Sequence, residues 1–427
     1  MTSAASTSTV TPAARLRGRL TLPADKSVAH RALIIGALSG GPTTVGIRSP
    51  GRDVLSTVEC LRALGVGITG ESGRYAISGR PSRDAALDCG NSGTTMRLLA
   101  GAVAGLPLGV TLDGDESLRG RPMERVATLL RAAGADVTTT DGHAPITIAG
   151  RASLKPAAHV LPVASAQLLG AAALAGLSAD GETTVEAPGP TRDHTERLLE
   201  WTGVAIRREG LVTVLSGPAH PMPFELEVPG DPSAASAWLV AGAVHPDAEI
   251  TLEGVGINPT RLALVGLLHR MGAEIDVHAT DEAGPELVGT IIVRSGSPLR
   301  AVHLEEDEAT ELIDELPLVA IAMASCAGES VVRGAGELRV KESDRIATTV
   351  AGLQAIGAEV TELPDGWRVR RGTPSAAHIT TNGDHRIAIA FAVAAAAGVA
   401  ASVELDDPEC TSVSYPDFWS DLAAVTA

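Results

Sequence analysis

Five phrases of this 427-residue chain are variants of one another: LRALGVGI, LRAAGADV, LEWTGVAI, LHRMGAEI and LQAIGAEV. Each reads as the end of an amphipathic helix, then a glycine, then the start of a strand. The glycines are Gly65, Gly134, Gly203, Gly272 and Gly357; the first four recur every 69 residues and the fifth follows after 85. A sixth helical stretch, over 418–425, closes the chain. This period is too long for ordinary solenoid repeats and suits an α/β unit of two helices and several strands, repeated six times. Each glycine fits the left-handed position that terminates a helix, where a β-carbon would be strained.

The segment VPGDPS, at 228–233, breaks both helical and strand periodicity with Pro229, Gly230, Asp231 and Pro232. Three units precede it and three follow. The pattern predicts two similar α/β domains with a cleft between them, a common place for a ligand.

Composition then narrows the function. Lys and Arg number 34 against 51 Asp and Glu, a net charge of −17, which argues against a general nucleic-acid or anionic-membrane binder while leaving room for a local basic pocket. Only nine residues are aromatic, so bases would find few stacking platforms. Cys60, Cys89, Cys326 and Cys410 are scattered without a CxxC pair, which predicts buried thiols in a reducing compartment and neither zinc nor disulfides. No apolar run is long enough to span a membrane, and the first 14 residues read as a frayed tail rather than a signal peptide. A cytoplasmic monomer is the expectation.

Polar clusters mark several predicted helix starts. In LPADKSVAHRAL, Lys26 and Ser27 open a helix whose core stripe is Val28, Ala32 and Ile35, with Arg31 on another face. In GNSGTTMR, residues 90–93 form a small-residue turn opening a helix, with Asn91 before Gly93 and Arg97 one turn later. Free amides and the positive helix end suit such a turn to an anion. Arg121 precedes Pro122, Ser165 and Gln167 open an Ala-rich helix, and Arg192, Asp193 and His194 precede another, His194 reading as a surface cap. Lys341, Glu342 and Arg345 fall within one helical turn, and Asp384, His385 and Arg386 precede a helix. Asp314 and Glu315 stand immediately before a nearly charge-free helix, as an N-cap or, near cations, as a general base. The GVGITG stretch at 65–70 follows a helix and opens a strand, the reverse of the dinucleotide fingerprint. Singly, each cluster is an ordinary capped helix; their recurrence in an acidic protein is not.

Together LPADKSVAHRAL, GNSGTTMR, RVKESDR, DHRIAIAF and DDPECTSVSYPDF, in this order, give a chain that closely resembles the 5-enolpyruvylshikimate-3-phosphate synthase family of enolpyruvyl transferases over essentially everything after Leu16. The resemblance implies two domains of three βαβαββ units each, an inside-out α/β barrel, with helix N-termini facing an interdomain cleft. It implies a discontinuous domain, 1–22 with 233–427, an inserted domain, 23–232, and hinges near 22–24 and 228–233. The implied reaction moves the enolpyruvyl group of phosphoenolpyruvate to the 5-hydroxyl of shikimate 3-phosphate and releases phosphate, without metal or other cofactor. By motif, Lys26, Ser27, Arg31, Ser165, Gln167, Arg192, Asp314 and Lys341 would meet shikimate 3-phosphate. Lys26, Gly93, Arg121, Gln167, Arg345 and Arg386 would hold phosphoenolpyruvate, supported by Asn91, Arg97, Asp384 and His385. Glu342 would donate the proton, Asp314 would act as base, and Lys26 would assist the leaving phosphate.

The chain departs from the family at three places: Val413 for a lysine, Leu98 for a proline and Glu337 for an asparagine. The first two imply weakened binding of the inhibitor glyphosate. Two rival readings are a UDP-N-acetylglucosamine enolpyruvyl transferase and a non-catalytic repeat-built binding protein. The first lacks its loop cysteine between 113 and 120, and the second predicts loss of Lys26, Asp314 or Glu342, all of which are present.

Overall fold

The computed structural model describes residues 8–71 and 73–427. The five repeat glycines follow the helices Arg52–Ala63, Glu124–Ala132, His194–Trp201, Ala263–Met271 and Arg345–Ala355, all with φ between 85° and 102°. The helix stop read from the sequence is the one the backbone uses.

The chain divides into two compact α/β units, each built on repeated βαβαββ-like elements. One comprises the described residues up to Pro23 with Pro229–Asp281 and Leu287–Ala427; the other comprises Ala24–Val228 and Glu282–Glu286. The residues 229–232 therefore go with the terminal unit, whereas the motif reading put them in the insert. The short segment 282–286, at the tip of a hairpin, goes with the insert, and nothing in the repeats signals it.

In the inserted unit each sheet has four strands, and the rule of assembly is the same three times. A repeat's first strand pairs antiparallel with its own hairpin, and its parallel edge strand comes from the preceding repeat. Thus Ala85–Asp88 lies beside Gly109–Asp113, and Ala158–Val160 beside Glu182–Glu186. Glu225–Glu227 returns beside Thr43–Gly46 and closes the ring. In the terminal unit His303–Leu304 joins Glu329–Val332, Ala376–Ile379 joins Ser402–Leu405, and the N-terminal strand Leu16–Thr21 closes the ring beside Ala248–Gly256. Exposed ion pairs flank both closing seams: Arg74 with Glu225 and Glu227, and Arg17 with Asp247 at 2.6 Å.

The last repeat has no hairpin of its own. Ser8–Val10 takes that place, antiparallel to Ser402–Leu405. The frayed tail expected over the first 14 residues is therefore ordered from Ser8, because an otherwise unpaired strand edge recruits it; residues 1–7 of that expectation lie outside the described residues.

Six helices form the cores: Lys26–Ser39, Gly93–Ala104 and Ala166–Gly176 in one unit, Pro232–Val244, Leu316–Ser325 and His385–Ala396 in the other. They pack on one another inside the sheets and are buried on every side. This corrects the single stripe of Val28, Ala32 and Ile35, since every residue from Val28 to Leu38 is buried. Small residues let the backbones meet, and a β-carbon at Gly101 would overlap the Ala171 backbone. In Lys26–Ser39, Gly93–Ala104, Ala166–Gly176 and His385–Ala396 the half-buried positions include Lys26, Ser27, Thr94, Arg97, Gln167 and Arg386, near the helix starts where the polar motifs sit. All four cysteines are buried free thiols. Among the described residues no helix is long and apolar enough to cross a membrane.

Candidate active site

In the inserted unit, Asp25 caps the helix Lys26–Ser39 by accepting from the Val28 amide at 3.1 Å. That cap places Lys26 in the first turn, where its Nζ is 3.0 Å from Asp53 Oδ2. Arg31, one turn on, is buried and knits three helices together. Its Nε donates to Thr195 Oγ1 (2.7 Å), Nη1 to the Ser27 carbonyl (3.0 Å) and Nη2 to the Ala166 carbonyl (3.1 Å). Burial pushes its pKa down to about 10, against the pull of Glu196 and Asp25, so it remains a cation at neutral pH.

The turn before Gly93 is built by Ser92, whose Oγ caps the helix by accepting from the Thr95 amide at 3.1 Å. A β-carbon at Gly93 would lie 2.8 Å from Arg97 Nη1 and 3.3 Å from Arg121 Nη1. Glycine is what lets two guanidinium groups crowd this helix start. Arg121 donates to Asn91 Oδ1 at 2.5 Å, and Asn91 in turn donates to Asp115 Oδ2 at 2.7 Å. Gln167 bridges back, accepting from Arg97 at 2.6 Å and donating to Thr94 Oγ1 at 2.9 Å. Ser165 caps its helix at 3.3 Å from the Leu168 amide. Ser27 and Arg192 are half-buried nearby in sequence to Arg31 and its partner Thr195.

His194 differs from expectation. It is buried rather than a surface cap, with Nδ1 2.6 Å from Glu286 Oε1, itself buried. A partner 92 residues away was invisible to local reasoning.

In the terminal unit one arginine organises the carboxylates. Arg345 is only 1% exposed and donates through Nε to Asp384 Oδ2 (2.8 Å) and through Nη2 to Glu342 Oε2 (2.6 Å); Asp314 Oδ1 is 3.8 Å from Nη1. Burial alone would weaken its hold on the proton, but Asp384, Glu342 and Asp314 outweigh it and raise the pKa above the ordinary value. Asp384 also caps the helix His385–Ala396, accepting from the Arg386 amide at 2.9 Å and from Ser343 Oγ at 3.0 Å. The helix begins at Arg345 rather than at Lys341; Lys341 and Glu342 lie in the bend before it, half-buried, because Asp344 takes the cap. His385 is buried.

Arg386 joins a different group. Its Nη1 is 3.6 Å from Glu315 Oε1, which accepts from Ser233 Oγ at 2.5 Å, and Arg261 donates to the same hydroxyl at 2.7 Å. Glu315 occupies the cap position but makes no cap bond. A cavity beside this group is lined by Asp314, Arg386, Asp231, Ser233, Ser414 and Tyr415, among others. Asp53, Ser233 and Arg261 were not singled out from sequence; each looks like an ordinary residue at a helix start or in a turn.

At the level of fold alone, the chain is similar to the enolpyruvyl transferase NikO from Streptomyces tendae, with a TM-score of 0.75 at 18% identity over 98% of this chain and 96% of that one. The family model for EPSP synthase (3-phosphoshikimate 1-carboxyvinyltransferase) matches residues 10–422, and the chain belongs to that family. A 3-phosphoshikimate 1-carboxyvinyltransferase of Herpetosiphon aurantiacus is 43% identical over 430 residues, covering 98% of this chain and 99% of that one. The solved EPSP synthase of Acinetobacter baumannii has a TM-score of 0.85 and 37% identity, with 98% of each chain covered.

Proposed function

We propose that the two residue sets described above divide the work of the family's reaction between them. The chain is an enzyme of enolpyruvyl transfer from phosphoenolpyruvate to shikimate 3-phosphate, in the shikimate pathway. Both substrates carry a phosphate and a carboxylate, so they need concentrated positive charge in a protein of net charge −17. Lys26, Ser27, Arg31, Ser165, Gln167, Arg192, Asp314 and Lys341 receive shikimate 3-phosphate. Lys26, Gly93, Arg121, Gln167, Arg345 and Arg386 receive phosphoenolpyruvate, whose phosphate suits the helix start at Gly93.

The enol phosphate accepts nothing until its methylene carbon is protonated, which leaves the adjacent carbon electrophilic. Glu342 donates that proton. Asp314 takes the proton of the 5-hydroxyl as its oxygen bonds to the electrophilic carbon, giving a tetrahedral adduct. Glu342, now a carboxylate, takes a proton back from the new methyl group, the carbon–phosphate oxygen bond breaks, and Lys26 helps neutralise the departing phosphate. The observation that carries this reading is Arg345, buried among three carboxylates that it holds in fixed positions. Phosphate release from the two substrates together, and from neither alone, is the expected result; release from phosphoenolpyruvate alone would replace transfer with hydrolysis. The chain is read as a cytoplasmic monomer, with glyphosate a weak inhibitor.

A further inference from the structure

His30 is 0% exposed and lies in none of the roles above. Its Nδ1 is 2.7 Å from Thr57 Oγ1, and Thr57 Oγ1 is 2.7 Å from Thr95 Oγ1. Thr95 Oγ1 is 2.7 Å from Ser92 Oγ, the cap of the helix at Gly93. Three helices are thus joined by one buried line of polar atoms that ends at the Gly93 turn.

Proton counting gives the line a direction. Thr95 has a single hydroxyl proton, angled to Ser92 Oγ at 2.7 Å or to the Asp53 carbonyl at 3.3 Å. With that proton on Ser92 or on the Asp53 carbonyl, Thr57 is the donor to Thr95. Thr57 then has no proton left for His30, so His30 must donate from Nδ1. Nε2 becomes the bare nitrogen, and it is buried without a partner. An unpartnered buried acceptor costs less than an unpartnered buried N–H, which agrees with this assignment. Burial, reinforced by Lys26 and Arg31, also holds the ring's pKa well below its ordinary value, so the ring stays neutral.

We propose that His30, as the neutral Nδ1–H tautomer, is a positioning residue for the Gly93 turn, acting through Thr57, Thr95 and Ser92 to fix the amides that receive phosphoenolpyruvate. Ser92 accepts from both the amide and the hydroxyl of Thr95, which locks the cap. The Gly93 and Thr94 amides precede the first intrahelical bond and so remain available to an anion. The proposal rests on the reading of Gly93 as the phosphoenolpyruvate turn.

Nitrogen-15 spectra of the full chain test the tautomer directly: the His30 ring should show protonated Nδ1 and bare Nε2, unchanged from about pH 6 to about pH 9. Kinetics test the role. His30→Leu and Thr57→Val should each raise the KM for phosphoenolpyruvate about 10-fold while changing shikimate 3-phosphate affinity less than about 2-fold. His30→Asn, which puts an amide donor near the Nδ1 position, should restore the KM to within about 3-fold, and His30→Gln should not. A ring protonated at Nε2, or equal loss of both substrates, or an unchanged KM in His30→Leu overturns the proposal. Arg121→Met separates the two readings: if it raises the phosphoenolpyruvate KM while His30→Leu does not, only the relay fails; if neither does, the site assignment fails as well.

Discussion

At the scale of single residues, the carboxylates around Arg345 are held in place before any substrate arrives. Replacing Asp314 by Asn or Glu342 by Gln keeps shape and removes the proton role, so turnover should fall about 10²–10⁴-fold with substrate binding largely kept. Steady-state kinetics with both substrates check this; near-normal turnover in either variant removes that residue from the proton path. Glu196 makes a prediction of a different kind. Burial raises its pKa, and its Oε2 has no hydrogen-bond partner. A carboxyl raised on folding contributes stability below the unfolded pKa and loses it as pH rises through the folded value. Glu196→Gln should therefore raise the Tm more at about pH 8 than at about pH 4, and an equal shift at both would contradict it. Residues of this kind show how far the sequence could be read. Lys26, Arg31 and Arg345 were legible because a cation at a helix start stands out in an acidic chain. Asp53, Glu286 and Ser233 were not, since their importance lies in partners 27, 92 and 82 residues away.

At the scale of elements, the helix stops were legible because their cause is local. Gly272 has φ 102° and nothing within 4 Å of the site of a β-carbon, so Gly272→Ala isolates the backbone cost. A loss of about 1–2 kcal/mol in denaturant unfolding is expected; a neutral result would mean the helix end re-forms elsewhere. The core helices were harder to read. Lys26–Ser39 carries enough polar residues at its start to look amphipathic, yet Arg31 is buried by bonding to a carbonyl of its own helix and to a carbonyl and a hydroxyl of neighbouring helices. Helix Gly93–Ala104 bears on inhibition. Leu98 is fully buried in it, and a β-carbon at Gly170 would lie 2.8 Å from its Cδ2. Proline there removes an N–H and crowds the preceding turn, which carries Gly93. The inhibition constant for glyphosate divided by the KM for phosphoenolpyruvate should be about one or higher, and Leu98→Pro should lower it, because the longer ligand is the more sensitive to the turn's position. A ratio well below one in the unaltered chain would refute this.

At the scale of the whole molecule, the terminal ring depends on two strands from outside the simple repeat. Ser8–Val10 and Leu16–Thr21 serve two different sheets of the terminal unit. Deleting residues 8–21 should leave two open sheet edges, and limited proteolysis should then cut within 229–427 while a fragment near 24–228 persists. Uniform degradation across the chain would show that the units do not hold separately. The sixfold period made the repeats visible from sequence, but no period could reveal that an unrepeated N-terminal segment supplies two strands.

The closing strand Leu16–Thr21 has a consequence for synthesis on the ribosome. It is made before residues 24–228, but its partner Ala248–Gly256 follows only after them. At about 5–20 residues per second, the strand waits roughly 10–50 s with its edge unpaired. The inserted unit can close in that interval, since Glu225–Glu227 and Thr43–Gly46 both precede residue 229. Its His194 must wait longer still for Glu286. The nascent chain therefore carries a folded middle while the strand Leu16–Thr21 is held open for a partner made later.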